Sequence, residues 1–253
     1  MSGPDWGHTA SDYAKHRQGF PKRLFDWLAT ITPLQCDVLD LGTGTGLLAR
    51  ELARQGGSVT SIDPSAEMLE QAEAAARREG LDIIHKEATA ENTGLTGPTF
   101  DLITAGTCWH WFDRPKAVQE CLRLLRPGGH LLIAHLDWLT RPHNVIDITR
   151  QAIQKWSPPP TGRAMTFQYP EWLYELTENG FGDYVVTGFP AMLTYSHDAW
   201  AGRIVASAHI APVLSPDDVE AFRAEFKATL TQRFPGEQMQ VEHRIFAVCL
   251  TRP

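Results

Sequence analysis

Two aspartates bracket a glycine-rich turn in the first quarter of the chain, as Asp40-Leu41-Gly42-Thr43-Gly44-Thr45-Gly46 and then Asp63. Glycine at alternate positions lets a backbone approach a ligand closely, because no Cβ intervenes and the N–H groups opening the next helix remain free to donate. A dinucleotide fingerprint spaces its glycines as GxGxxG and receives an anionic pyrophosphate. Here the third glycine comes one residue early. Asp40, two residues before the first glycine, repels a pyrophosphate and attracts an ammonium group. Asp63 suits acceptance from the two hydroxyls of a ribose. The chemistry indicated is binding of a nucleoside with a cationic tail, against Gly42, Thr43, Gly44 and Gly46.

A second group of residues is aromatic and titratable. Trp109-His110-Trp111-Phe112 follows an apolar run, and His135 and Asp137 end another. In an open α/β sheet such strand ends form the ligand edge. There His110 is a candidate general base near neutral pH, Trp109 and Trp111 are flat walls, and His135 and Asp137 are substrate contacts at the rim. Phe112 is expected to be core. Tyr13 and Arg17 stand one helical turn apart near the N-terminus. They are expected to face inward together from a lid.

The elements that position these groups follow from hydrophobic period. Asp37–Leu41 reads as a strand, Leu47–Gln55 as a helix, Ser58–Ile62 as a strand, Ser65–Glu79 as a helix stopped by Gly80, and Asp82–His85 as a strand. Phe100–Thr104, the helix Pro115–Leu125, the turn Pro127-Gly128-Gly129 and the strand His130–His135 continue the alternation. Two helices, near Asn144–Trp156 and Glu171–Asn179, then interrupt it around a proline triplet. Strand Tyr184–Phe189, helices Ser196–Ala208 and Pro216–Phe234, and strand Val241–Thr251 complete the chain. The expectation is an α/β fold, a doubly wound, mostly parallel seven-stranded sheet with a helical cap inserted after the fifth strand. The division expected along the chain is 1–137 for lid and ligand-binding core, 138–182 for the cap, and 183–253 for the elements completing the sheet.

Composition narrows the partners. The chain has 253 residues with 23 Lys and Arg against 30 Asp and Glu, a formal charge of −7, and no basic block. Polyphosphate backbones and anionic membranes are therefore poor partners. Four widely spaced cysteines without a CxxC pair encode neither a disulfide framework nor a zinc site, so no metal is expected. With no basic segment leading into an apolar stretch, a cytoplasmic monomer or homodimer is expected.

Set in order, these pieces resemble a class I S-adenosylmethionine-dependent methyltransferase of the small-molecule group that includes the trans-aconitate methyltransferases. Tyr13 through Pro21 resembles that group's N-terminal Tyr…Arg-Pro-Gly-Tyr-Pro element, with Gln18 in place of a proline. Val38–Gly46 resembles its first motif, Ile62-Asp63-Pro64-Ser65 its ribose site, His110-Trp111-Phe112-Asp113 its HWFD element, and Leu124–Gly129 its LKPGG turn. Where the group carries Gly-Asp-Ala near the adenine, this chain has Lys86-Glu87-Ala88. The resemblance implies S-adenosylmethionine as cofactor, held by Tyr13, Arg17, Asp40, the glycine turn, Asp63, Pro64, Glu87, Ala88, Ala105 and Trp109. It implies a small-molecule acceptor against Trp111, His135 and Asp137. The reaction implied is in-line methyl transfer to oxygen or nitrogen, in which alignment does most of the work. Two other functions stay open on the residues alone, a domain that binds the cofactor without turnover and a nicotinamide-dependent reductase.

Overall fold

A computed structural model describes residues 17–157, 170–207 and 210–253. Tyr13 lies outside them. In chain order the elements are α1 (Lys22–Leu28), β1 (Asp37–Leu41), α2 (Leu47–Arg54), β2 (Ser58–Asp63), α3 (Ala66–Arg78), β3 (Ile83–Glu87) and β4 (Phe100–Gly106). A 3-10 turn, Trp109–Trp111, leads into α4 (Arg114–Leu124) and β5 (Leu125–Trp138). Next come α5 (Val145–Trp156), α6 (Pro170–Glu178), β6 (Tyr184–Ser196), α7 (His197–Val205), α8 (Pro216–Arg233) and β7 (Gln238–Thr251).

The strands form one seven-stranded sheet in the order β3-β2-β1-β4-β5-β7-β6. The pairs β2–β3, β1–β2, β1–β4 and β4–β5 are parallel. Along β6 and β7 the partners run in opposite senses, from Asp183 with Thr251 to Thr194 with Gln240. The same holds for β5 and β7, where Gly128 meets Arg252 and Leu139 meets Glu242. The expected fold class is therefore present, a mostly parallel doubly wound sheet whose β7 runs antiparallel, with two helices after β5.

Three elements differ from the expected spans. The helix α1 was not anticipated, although its buried Leu24, Phe25 and Leu28 carry helical spacing. The Pro127-Gly128-Gly129 segment lies inside β5 as a bulge. Phe100 and Leu102 on β4 face Leu125 and His130 on β5, so the bulge absorbs three extra residues. Any side chain at 129 would place its Cβ 2.9 Å from the Arg126 carbonyl oxygen and 3.0 Å from that of Asp101. Finally, β6 continues through Pro190 to Ser196, with Phe189, Ala191, Leu193 and Tyr195 buried alternately. Proline is tolerated because β6 is the last strand of the sheet, where a missing N–H breaks no ladder.

The chain divides into two compact units. One comprises, among the described residues, 19–136, 170–189 and 245–253; the other comprises 17–18, 137–157, 190–207 and 210–244. These units do not follow the chain-order boundaries at 137 and 182, because α6 and the last strand supply core to the first unit. Trp172, Leu176 and Phe181 share one apolar cluster with Leu39, Leu41, Ile103 and Ile133, and so do Val248 and Leu250 of β7. No disulfide joins the four cysteines. Burial pushes Cys36 up to about 11 and Cys249 up to about 12, and raises Cys121 as well, so these three are not readily ionised.

Candidate active site

The glycine turn connects β1 to α2, and its three glycines all have positive φ, at 57° for Gly42, 54° for Gly44 and 76° for Gly46. They serve different purposes. A Cβ at Gly42 would stand 3.0 Å from Cys108 Cβ and 3.2 Å from the Phe112 ring. One at Gly46 would stand 3.1 Å from Ala72 Cβ, so this glycine seats α2 against α3. A Cβ at Gly44 would meet nothing within 4 Å, and this is where the backbone offers open space to a ligand.

Both acids of the turn are buried. Asp40 is 1% exposed, and its two carboxylate oxygens accept from Thr43 Oγ1 and Thr104 Oγ1, each at 2.6 Å. Burial raises its carboxyl to about 6, and the nearby charge of Asp63 adds to the rise against hydrogen bonds from Thr104, Thr43 and the Ala49 N–H. Asp63 ends β2 with Oδ2 accepting from the Gly44 N–H at 2.8 Å and Oδ1 from the Ser65 N–H at 3.0 Å. Burial raises its carboxyl too, against those two N–H groups. Two buried carboxylates under one turn give it a negative field.

The remaining candidates sort by position. Glu87 is exposed at the end of β3, in register with Asp63, and the Ala88 N–H donates to the Asp63 carbonyl at 3.2 Å. Pro64 is exposed between Asp63 and the α3 cap Ser65. Ala105 pairs with Leu41 and is wholly buried in the apolar cluster. Trp109 is also wholly enclosed, its ring edge-on to Phe112 at 5.6 Å and its Nε1 buried without a hydrogen-bond partner among the described residues. Trp111 is 51% exposed and His110 is exposed beside it, their rings 4.7 Å apart. His135 is buried between the His110 ring at 5.5 Å and the Trp172 ring of α6 at 5.0 Å. Expected at a rim, His135 and Asp137 are instead 1% and 6% exposed. Asp137 and Arg17 belong to the other unit. No group of His, Cys, Asp and Glu suited to a metal ion is gathered among the described residues.

Sequence reasoning missed two residues of this site: Thr104 holds Asp40, and Cys108 donates from Sγ to the Leu41 carbonyl at 3.2 Å. Phe112, expected as core, is partly buried against the apolar cluster and packs at Gly42. Thr104 carried a signal, since a polar residue in a strand buried on both faces needs a partner on the adjacent strand. Phe20 is a further member: a Cβ at Gly106 would come 3.1 Å from its ring, so the segment entering α1 packs at the end of β4.

Residues 39–133 match the model of the methyltransferase domain family. These residues carry a methyltransferase domain. An uncharacterised methyltransferase of Mycobacterium tuberculosis is 35% identical over 136 residues, 54% of this chain and 52% of the relative. A ubiquinone biosynthesis O-methyltransferase of Caulobacter vibrioides is 35% identical over 138 residues, 54% of this chain and 55% of that protein. The chain thus spans about half the length of these relatives. Among solved structures, the YcgJ protein of Bacillus subtilis superposes with TM-score 0.58 at 20% identity, over 91% of this chain and 98% of that one. A phosphoethanolamine N-methyltransferase of Haemonchus contortus superposes with TM-score 0.60 at 18% identity, over 100% of this chain and 60% of that one. At such identities the structures speak for the fold. The methyltransferase domain holds the glycine turn, both turn acids and the Trp109–Phe112 segment, while α5 to α8 lie beyond the matched residues.

Proposed function

We propose that this chain transfers a methyl group from S-adenosylmethionine to an oxygen or nitrogen of a small-molecule acceptor. The observation that carries the reading is the turn itself: open space at Gly44, with Asp63 bonded to the Gly44 N–H and Asp40 buried under the same residues. The residues fit the cofactor. Each Asp63 oxygen holds one backbone N–H and keeps a lone-pair direction for a ribose hydroxyl. The Asp40 charge favours a ligand bearing ammonium and sulfonium groups over a pyrophosphate. Glu87, in register with Asp63, is assigned to the adenine side in this reading, and exposed Trp111 to the acceptor.

S-adenosylmethionine, when bound, supplies an activated methyl group with a neutral thioether as leaving group. The chain's task is alignment and exclusion of water, which is worth roughly 7–11 kcal/mol when reactants are held in attack geometry. His110 is the residue proposed to take a proton from a phenol, alcohol or ring N–H; a carboxylate acceptor would need no base. The names of the relatives support oxygen and nitrogen acceptors, one being a ubiquinone biosynthesis O-methyltransferase and one a phosphoethanolamine N-methyltransferase. A formal charge of −7 favours a small molecule over nucleic acid. Cysteines not joined in disulfides accord with the cytoplasm.

Calorimetry tests the reading: S-adenosylmethionine and S-adenosylhomocysteine are expected to bind once per chain, with no heat from NADH. Binding of NADH alone would return the reductase. Tight cofactor binding with no methyl transfer across a broad panel of phenols, amines and acids would leave a sensor.

A further inference from the structure

The second unit contains a half-buried cation, Arg203. Arg203 lies on α7 with its guanidinium carbon 5.2 Å from the centre of the Trp200 ring and 5.7 Å from that of Trp138. Its hydrogen-bond partner is the buried hydroxyl of Tyr195, and its Nε is buried with no partner among the described residues. No carboxylate pairs with it among them. Burial lowers its pKa, yet a guanidinium does not give up its proton in a protein. The charge therefore stays, set against two aromatic faces and one phenol. A cation partly withdrawn from water in this way is unfavourable until an anion offsets it.

His243 adds to the same neighbourhood. It is wholly buried, its ring is edge-on to Trp200 at 5.9 Å, and burial together with the charges of Arg203 and Arg17 holds it down to about 4. Its Nδ1 lies 3.0 Å from the Val241 carbonyl, a contact that is a hydrogen bond when Nδ1 carries the proton. That tautomer leaves Nε2, which is buried without a partner among the described residues, as an acceptor. The histidine is thus neutral near pH 7 and does not compete with Arg203 for an anion.

We propose that Arg203 anchors a binding site for a carboxylate carried on an apolar body, walled by Trp138 and Trp200 and completed by Tyr195. A planar guanidinium fork matches a planar carboxylate through two parallel bonds. The aromatic surroundings suit a single charge and penalise the double charge of a phosphate. The site does not depend on the methyl-transfer reading, since it lies in residues outside the matched domain.

Benzoate and inorganic phosphate are the probes, titrated into the full chain while the Arg203 Nε–Hε resonance and the His243 ring resonances are followed. Benzoate is expected to move the Arg203 signal and to raise the His243 pKa, because it neutralises a charge that now holds that pKa down. Arg203→Gln is expected to weaken benzoate at least about tenfold. Arg203→Lys, which keeps the charge and loses the fork, should fall between, and Arg233→Gln, an exposed change in the same unit, should leave binding unaltered. The site is overturned by an unmoved Arg203 signal at about 10 mM benzoate, by wild-type affinity in Arg203→Gln, or by tighter binding of phosphate than of benzoate. Should Arg203→Gln fail to fold, the titration of the unaltered chain decides alone. Repeating it with saturating S-adenosylhomocysteine separates two sources of carboxylate: loss of benzoate binding assigns the site to the cofactor's own carboxylate, and retention assigns it to another ligand. Failure of S-adenosylhomocysteine to bind at all would count against methyl transfer and leave the benzoate result standing.

Discussion

The Gly44 N–H donates to Asp63 Oδ2 at 2.8 Å, so the open tip of the glycine turn is tied to the last residue of β2. The acid proposed to receive the ribose therefore also holds the turn that shapes the site. Asp63→Ala should remove both roles, and hydrogen bonds to a charged acceptor are worth about 1.5–3 kcal/mol each. We expect S-adenosylhomocysteine affinity to fall by about 10- to 100-fold in calorimetry. Unchanged affinity would show that the ribose lies elsewhere.

The three glycines should separate in mutagenesis. Gly44→Ala pays only the left-handed backbone strain, roughly 1–2 kcal/mol, because its Cβ meets nothing. It is expected to fold and to lose cofactor affinity, since the new methyl occupies the ligand's space. Gly42→Ala adds a clash with Cys108 and Phe112 to the same strain, so its melting temperature should fall further than that of Gly44→Ala. Thermal unfolding of the two proteins without ligand checks the order.

Asp40 links stability and affinity to pH. Its folded pKa, near 6, lies above the ordinary 3.8, so the folded state holds a proton that the unfolded chain has lost. The contribution of this group to stability therefore falls as pH rises from 3.8 to about 6 and stays low above that, by about 3 kcal/mol for a shift of this size. Asp40→Asn is expected to flatten that part of the stability profile and to match or exceed the parent in stability at pH 8. The same change should weaken S-adenosylmethionine more than S-adenosylhomocysteine, because only the former carries a sulfonium charge. For the parent protein, the preference for the sulfonium form should diminish as pH drops below 6. A pH-independent ratio of the two affinities would remove Asp40 from cofactor selection.

His110 is exposed beside Trp111 and 5.5 Å from the ring of His135. If it is the base, His110→Ala should slow single-turnover methyl transfer to a protonated acceptor by about 10²–10⁴-fold with little change in cofactor affinity. Turnover within about threefold of the parent, with both ligands saturating, is too small an effect for a proton-transfer role.

Much of this was legible because glycine, aspartate and tryptophan carry strong local meaning. The spans of β1 and of the helices at the turn follow from apolar period, and the Asp40, glycine, Asp63 spacing located the site. What escaped depends on partners distant in sequence. Thr104 meets Asp40 only because β1 and β4 are neighbours in the sheet. Pro190 read as a strand end, and only the edge position of β6 makes it harmless. The charge of Asp40 is legible from its spacing to the glycines, but not the two threonines that hold its oxygens. The burial of His135 under Trp172 depends on where α6 packs, which no local pattern near residue 135 encodes.

The apolar cluster beneath the glycine turn includes Val248 and Leu250, while its first strand begins at Asp37. During synthesis the ribosome therefore releases these last residues only after every other part of that cluster has emerged. The nascent methyltransferase domain must wait, with Leu131 and Ile133 of β5 lacking their final partners, so its folding is a late, long-range closure. A tag or truncation at the C-terminal strand should then compromise the glycine turn more than two hundred residues upstream.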